Sequence, residues 1–239
     1  MRSSETTAER VVAVLRREIT EGELTPGTQL SEERLVERLS TSRNTLREAF
    51  RLLTHDGLLV HRLHRGVFVP ELDDDDLIDL YRLRRTIECA AVRALTSVDA
   101  PRLRPIRAAI EAAEAAASRE DWAGVGTANM HFHQCLVGLG GSRRIDDITR
   151  RLLAELCLVF HAAANPEVLY GPYVGRNRAL LDLLVAGQVE EAAEDLGQYL
   201  RDSEEQLLSV YRADHYELPR AEVEAFGEVI GPALNRRRP

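Results

Sequence analysis

The sequence predicts a mainly α-helical chain, with one small β-hairpin near its N-terminal end and an all-α antiparallel helical bundle after it. Two observations predict this fold class. Apolar residues recur at spacings of three and four through most of the chain, which is the period of helices with one buried face. The stretch at 58–69, LLVHRLHRGVFV, breaks that period and turns at a glycine, which is typical of a hairpin.

Composition limits the classes of protein to which the chain can belong. Its 239 residues suit one large domain or two medium ones, and its formal net charge is −8. No apolar run approaches the roughly 18 residues of a membrane span, and the N-terminus lacks the apolar segment of a signal peptide. The three cysteines have no ligand-like spacing, which favours reduced thiols. We therefore expect a cytoplasmic protein without a membrane partner.

Three helices are predicted before the hairpin. The first covers 7–21, the second about 32–39 and the third 43–55, with Ser31 and Ser42 as N-caps of the second and third. A short extended piece precedes the second helix. Two helices joined by a tight turn and followed by a hairpin are the order of a winged helix-turn-helix, whose second paired helix enters the major groove of DNA.

The predicted third helix is basic although the whole chain is acidic. Arg43, Arg47 and Arg51 are four residues apart, so they share one helix face. Residues 1–70 carry a net charge of +1 and residues 71–239 carry −9, so the positive charge is local. Arginine can pair with guanine, asparagine with adenine, and hydroxyl groups with phosphate. We expect contacts to double-stranded DNA from Ser42, Arg43, Asn44, Thr45 and Arg47.

The remainder of the chain is predicted to be helical. The acidic run Asp73–Asp76 is interpreted as a solvated first turn of a helix rather than as a metal site. The segment 164–172, ANPEVLYGP, is predicted to be a loop. The helices are predicted at 77–95, 101–120, 121–140, 142–163, 174–187 and 188–211.

Motifs in both halves resemble those of a known family of regulators. The first half resembles the winged-helix domain of GntR-family transcription regulators, through LxPGxxLSE at 24–32, LxxxLSTSRNTLREA at 35–49, GLL at 57–59 and RGVFV at 65–69. The second half resembles the FCD effector domain of the FadR-type subgroup, through LYRLRxxIE at 80–88, FH at 132–133 and ALLDLLVAGQVEEAA at 179–193. The resemblance covers about residues 8–212.

This resemblance implies a homodimeric repressor that binds a palindromic operator and is controlled by a small organic, anionic effector. It adds DNA contacts from the wing tip, Arg65 and Gly66. The family often has a basic residue at the position of Glu33. Here Arg34 lies next to it, so either Arg34 reaches the same phosphate or that contact is lost. The implied organisation is a winged helix-turn-helix domain at 1–70, a linker at 71–77, a ligand-sensing and dimerisation domain at 78–213 and a C-terminal tail at 214–239.

The resemblance also implies a metal site, which the residues of this chain do not favour. Many FCD domains hold a metal with one aspartate and three histidines. Those positions correspond here to Asn129, His133, Asn177 and Tyr199. One imidazole, two amides and a phenol are poor ligands for a transition metal but can hydrogen-bond a polar organic molecule. We expect no substitute ligand from His131, which points away from His133 because the two are two residues apart on a helix, nor from His161, a lone histidine on an apolar helix. We expect no metal and no cofactor.

Some alternatives stay open at the level of sequence. Arg84, at the family's pocket-facing position, can bind an anionic group of the effector, or it can form an internal salt bridge with Glu88 one turn on. A hydrolase-like enzyme using His133 is the alternative function, although no nucleophile or phosphate-loop motif accompanies it. A third alternative is a regulator that has lost its effector. We prefer the interpretation that the chain is a DNA-binding regulator and not an enzyme.

Overall fold

The computed structural model of the chain describes residues 6–20, 22–95, 99–160 and 166–215. Two compact units are distinguished, Met1–Asp73 with Arg150–Ala162, and Asp74–Thr149 with Ala163–Pro239. The helices and the small three-stranded sheet that the described residues form confirm the predicted mainly α fold class. None of the helices in the described part of the chain is long and apolar enough to cross a membrane.

The elements of the first unit follow the predicted order. The side chains of both predicted N-caps accept hydrogen bonds from backbone amides, Ser31 from Arg34 at 3.4 Å and Ser42 from Thr45 at 3.1 Å. These bonds satisfy amide groups that a helix start leaves free, so they fix where each helix begins. The elements are α1 (Thr7–Thr20), β1 (Gln29–Leu30), α2 (Glu32–Arg38), α3 (Arg43–His55), β2 (Val60–Arg62) and β3 (Gly66–Phe68).

A three-stranded antiparallel sheet holds the hairpin against the helices. Its strand order is β1-β3-β2, with Phe68 opposite both Gln29 and Val60. The predicted extended segment before α2 is therefore β1, an edge strand of this sheet that pairs with β3. Apolar side chains of α1, α3 and the segment after α3 form one core, because each helix turns one face inward. Its fully buried members include Leu15, Leu46, Leu53 and Leu58.

The tip of the hairpin is a tight turn whose backbone requires a glycine. The amide of Arg65 donates to the carbonyl of Arg62 at 3.0 Å, and Gly66 has a φ of 103°. That φ lies in the region that L side chains rarely adopt, so a substitution of Gly66 would strain the turn. His64 also has a positive φ, 58°, which histidine tolerates better than most residues. The turn therefore sets the position of the predicted DNA contact at Arg65 and Gly66.

The regular elements that the structure describes in the second unit are all helices, and the described residues between them lie in short turns. In it α4 packs along α9, and α5 packs against α6 and α8. Leucine and isoleucine side chains, including Ile106, Ile110 and Leu181, fill the space between these helices and are fully buried. The remaining elements of the chain are α4 (Asp74–Arg93), α5 (Ala100–Ala117), α6 (Trp122–Gly138), α7 (Arg143–Phe160), α8 (Pro166–Val185) and α9 (Val189–His215).

Two predicted boundaries differ from the structure. The prediction of a loop at 164–172 was wrong from Pro166 onward, because α8 begins there. Proline is well tolerated at the first position of a helix, and the buried Leu169 and Tyr173 give this segment an inward face. Helix α4 begins at Asp74, so Asp74–Asp76 form its acidic first turn, within the segment predicted as a linker.

Candidate DNA-binding surface and buried polar core

Helix α3 presents a polar face opposite its buried one. Leu46, Ala49, Phe50 and Leu53 are buried. The side chains predicted to contact DNA lie at the helix start and on the outer face, with Thr45 half-buried and the others exposed: Ser42, Arg43, Asn44, Thr45 and Arg47.

The arginines of α3 differ in their partners. The guanidinium of Arg47 contacts the carboxylate of Glu32 at 3.1 Å, and that of Arg51 contacts Glu48 at 2.6 Å. Arg43 has no ion pair or hydrogen bond from its side chain to any residue that the structure describes. The charge of Arg43 is therefore the one on this face that is most available to an anionic partner.

A groove in the first unit lies between α3, the start of α2 and the sheet. Its volume is about 1090 Å³, and its lining includes Arg34, Arg47, His61 and Gly66. The side-chain amide of Gln29 donates from Nε2 to the backbone carbonyl of Arg65 at 2.7 Å, which ties the wing tip to β1. The structure thus brings Arg34 and Gly66 to the same groove as Arg47.

One feature of this surface was missed by sequence reasoning. The carboxylate of Glu32, in the first turn of α2, pairs with Arg47, fifteen residues away, and the sequence did not predict this contact. That separation spans a turn between two helices, and no helical or strand period links the two positions. The sequence did contain one sign of this contact. A carboxylate within a predicted DNA-binding surface would repel phosphate, so its presence there suggests that it pairs with a neighbouring cation.

In the second unit, the side chains predicted to bind an effector lie in the core and bond to one another. Arg84 donates from Nε to the Glu88 carboxylate at 2.8 Å, and both side chains are almost fully buried, with 2% and 1% exposure. The internal salt bridge is thus the alternative that this structure shows for Arg84. The Nη2 atom of Arg84 is nevertheless buried with no hydrogen-bond partner among the described residues.

His133 connects the ion pair to the next polar groups. Its Nδ1 lies 2.7 Å from the other oxygen of Glu88, and its Nε2 lies 3.1 Å from the hydroxyl of Tyr199. The same hydroxyl lies 3.1 Å from Oδ1 of Asn129, to which Asn177 donates at 2.7 Å. A phenol has one proton, so Tyr199 can donate to only one of His133 and Asn129 at a time. We define these six side chains as the polar core: Arg84, Glu88, Asn129, His133, Asn177 and Tyr199.

Burial and charge determine the protonation of the polar core. Burial alone would raise the pKa of Glu88, but the charge of Arg84 and the hydrogen bonds from His133 and Arg84 hold that pKa at about 2. Burial lowers the pKa of His133 despite the opposing effect of Glu88. Burial also raises the pKa of the Tyr199 phenol well above its ordinary value. The polar core at neutral pH therefore contains an ion pair, a neutral imidazole and a neutral phenol.

These groups do not suit a transition metal. Both nitrogens of His133 are engaged by Glu88 and Tyr199, and the raised pKa of Tyr199 opposes the phenolate that would coordinate well. Among the described residues no group of three or more His, Cys, Asp and Glu side chains is placed to hold a metal ion. His131 is exposed and contacts Cys135, with Nε2 and Sγ 3.5 Å apart. His161 lies outside the described residues.

We expect that removing metal ions leaves the fold of this chain unchanged. Since the polar core offers no good ligand set, no large binding free energy is coupled to folding. Protein purified without a tag should contain far less than one equivalent of Zn, Ni or Mn by mass spectrometry. Its melting temperature should be the same with and without EDTA. Near-stoichiometric metal, or a melting temperature several degrees lower in EDTA, would contradict this, and His131→Ala and His161→Ala would then show which histidine supplies a ligand.

Comparison with known proteins assigns the chain to a family. Residues 7–69 match the model described as "Bacterial regulatory proteins, gntR family", and residues 79–202, over half of the chain, match the FCD domain. The chain is a GntR-family regulator with an FCD domain. Its family consists of transcription regulators rather than enzymes, which decides against the hydrolase-like alternative.

Relatives of this GntR regulator support the assignment. A "probable D-xylose utilization operon transcriptional repressor" of Paenarthrobacter nicotinovorans is 27% identical over 82% of this chain and 86% of the relative. The HTH-type transcriptional repressor RspR of Escherichia coli K12 is 34% identical over 38% of this chain and 40% of its own. The crystal structure of a GntR regulator from Rhodococcus sp. RHA1 is 41% identical, with a TM-score of 0.78, covering 86% of this chain and 99% of that one.

Proposed function

We propose that this GntR regulator is a homodimeric repressor that binds a palindromic operator and responds to a small, polar, anionic organic ligand. The observation that carries the proposal is the outer face of α3, where Arg43 and Asn44 are exposed and Arg43 has no ion pair with a described residue. In a helix-turn-helix, an arginine without an ion pair next to an exposed asparagine, both on the second helix, is an arrangement suited to reading base edges in the major groove.

The proposal gives each predicted residue a role. The bases are read by Arg43, Asn44 and Arg47, because these side chains can form bidentate hydrogen bonds that distinguish one base from another. The hydroxyls of Ser42 and Thr45, 2.8 Å apart at the start of α3, contact phosphate near the helix N-terminus. The other contacts are to the DNA backbone and come from Arg34, Arg65 and the backbone of Gly66.

Repression and dimerisation are supported indirectly. Two of the relatives bear the name of repressor. One winged helix covers a short stretch of DNA, so two linked copies raise affinity through their effective concentration. Because the proposed partner is chromosomal DNA, the proposal includes a cytoplasmic location.

The polar core supports the effector part of the proposal. Nη2 of Arg84 and Oδ1 of Asn177 are both buried and lack hydrogen-bond partners among the described residues. A buried polar atom without a partner is costly, so a ligand that bonds to both would recover that free energy. A carboxylate of the ligand would accept from Arg84, and a hydroxyl would donate to Asn177. Such a ligand would favour one arrangement of the helices and thereby shift operator affinity.

The proposal is tested by using the purified protein to select the DNA fragments that it binds. The fragments come from a random pool and from the genomic DNA upstream of the protein's own gene. We expect a palindromic site that binds two chains, with a mass in sedimentation about twice the 26.8 kDa of one chain. Absence of any sequence preference, or a monomer both free and on DNA, would contradict the proposal. Repeating the binding with a panel of small mono- and dicarboxylic acids tests the effector, since a regulator that has lost its effector would respond to none.

A further inference from the structure

The pairing of Glu32 with Arg47 lies within the proposed DNA surface. Glu32 is the first residue of α2, and Arg47 lies on the outer face of α3. Nε of Arg47 lies 3.1 Å from each carboxylate oxygen of Glu32, and Nη2 lies 3.1 Å from Oε2. Both side chains line the groove beside the wing, so the pair would be at the interface with bound DNA.

The geometry of the contact leaves one edge of the guanidinium free. A guanidinium has a side edge, formed by Nε and Nη2, and an outer edge, formed by Nη1 and Nη2. Glu32 covers the side edge, while Nη1 of Arg47 has no hydrogen bond or ion pair with a described residue. The outer edge can still donate two parallel hydrogen bonds to O6 and N7 of guanine. The carboxylate therefore does not compete with a base for Arg47.

Neither the stability of the fold nor attraction to phosphate accounts for the pairing of Glu32 with Arg47. The side chains of Arg47 and Glu32 are 64% and 36% exposed, and exposed ion pairs contribute little to folding. A carboxylate near DNA is repelled by every phosphate, whatever the sequence. What the contact does provide is order, because an arginine held in one rotamer loses less conformational entropy when it binds a base.

We infer that Glu32 is a positioning residue that holds Arg47 for one guanine of the operator and so sets the preference at that base pair. This inference rests on the proposed function, in which Arg47 reads the major groove. Glu32 itself contacts no base in this scheme. It acts through the orientation of Arg47, and its removal changes the choice of sequence more than it changes general affinity for DNA.

Glu33 offers a matched control. It is the neighbouring acid in the first turn of α2, lines the same groove, is exposed and makes no ion pair with a described residue. Glu32→Ala and Glu33→Ala each remove one negative charge from the same helix end. Any effect of charge on phosphate attraction or on the helix dipole should therefore be similar in both variants.

The experiment measures dissociation constants at fixed salt for the selected operator, for each single base-pair substitution of it, and for random DNA. Glu33→Ala should keep the wild-type preference at every position. Glu32→Ala should lose about ten-fold of discrimination at one G·C pair, the same pair at which Arg47→Ala loses it. Glu32→Gln, which keeps an acceptor oxygen without the charge, should fall between wild type and Glu32→Ala.

Each other outcome overturns the inference. Identical preference profiles for Glu32→Ala and Glu33→Ala would mean that Glu32 acts only through its charge. If Arg47→Ala loses a base preference that Glu32→Ala retains, the proposed function stands and the positioning role fails. If wild-type protein shows no preference at all, the proposed function fails as well. Thermal unfolding of both alanine variants shows whether the fold is intact, since both positions are on the surface.

Discussion

Replacing Glu88 by leucine should lower the free energy of unfolding by about 3–5 kcal/mol, because it leaves the buried charge of Arg84 without a partner. The Arg84 side chain is 2% exposed, and its Nε donates to Glu88 at 2.8 Å. His133 would also lose the acceptor that now lies 2.7 Å from its Nδ1. Urea denaturation at pH 7, followed by circular dichroism, measures the difference.

Two controls separate charge from packing in this prediction. The double variant Arg84→Met/Glu88→Leu should be markedly more stable than Glu88→Leu alone, because an apolar pair leaves no uncompensated charge. Glu88→Gln should be less stable than wild type at pH 7. Because the pKa of Glu88 is held at about 2 when folded, against 4.5 when unfolded, the carboxylate stabilises the fold above pH 4.5.

The same linkage gives the sign of the pH dependence. As pH falls from 4.5 toward 2, the unfolded chain binds a proton at Glu88 before the folded chain does, so the advantage of wild type over Glu88→Gln should shrink. A Glu88→Leu variant as stable as wild type would show that Arg84 and Glu88 are not buried together. If the difference in the free energy of unfolding between wild type and Glu88→Gln stays constant down to pH 2, then Glu88 is not held ionised in the folded protein.

The double variant Arg43→Ala/Arg47→Ala should lose nearly all operator binding. Each arginine that contacts a base contributes about 1–3 kcal/mol of discrimination, and one that reaches only phosphate contributes less. Both side chains are exposed on one face of α3. The loss should also flatten the dependence of binding on salt, by about 0.9 in the log–log slope for each phosphate contact removed. Fluorescence anisotropy with the selected operator at several salt concentrations measures both quantities.

A matched variant controls for the loss of two positive charges. Arg104 and Arg107 are exposed on α5, in the other unit, and their side chains have no partner among the described residues. Arg104→Ala/Arg107→Ala should bind the operator like wild type, apart from a small uniform weakening by long-range electrostatics. If the two double variants behave alike, or if Arg43→Ala/Arg47→Ala binds as tightly as wild type, then α3 is not the helix that reads DNA.

Local patterns were sufficient to place the helices of the first unit. The caps Ser31 and Ser42 lie where the sequence predicted them, because an N-cap bond joins residues only three apart. Apolar spacing likewise identified the inward face of α3, including Leu46 and Leu53, and so left its arginines outward. Spacing failed at Pro166, where proline and glycine signals suggested a loop and burial of Leu169 favoured a helix.

The sequence by itself determined the mainly helical fold class, the order of the first helices and the hairpin, and the family, because these depend on neighbours a few residues apart and on long motifs. The tertiary structure alone decided which polar groups meet. Spacing allowed Arg84 either to pair with Glu88 or to face a ligand, and the packing of the helices buried it beside Glu88. Nor could any period join His133 to Tyr199, or Glu32 to Arg47. Such contacts depend on how whole helices pack against one another. Helix packing is set by the sum of many weak apolar contacts, and not by the polar side chains that happen to meet as a result.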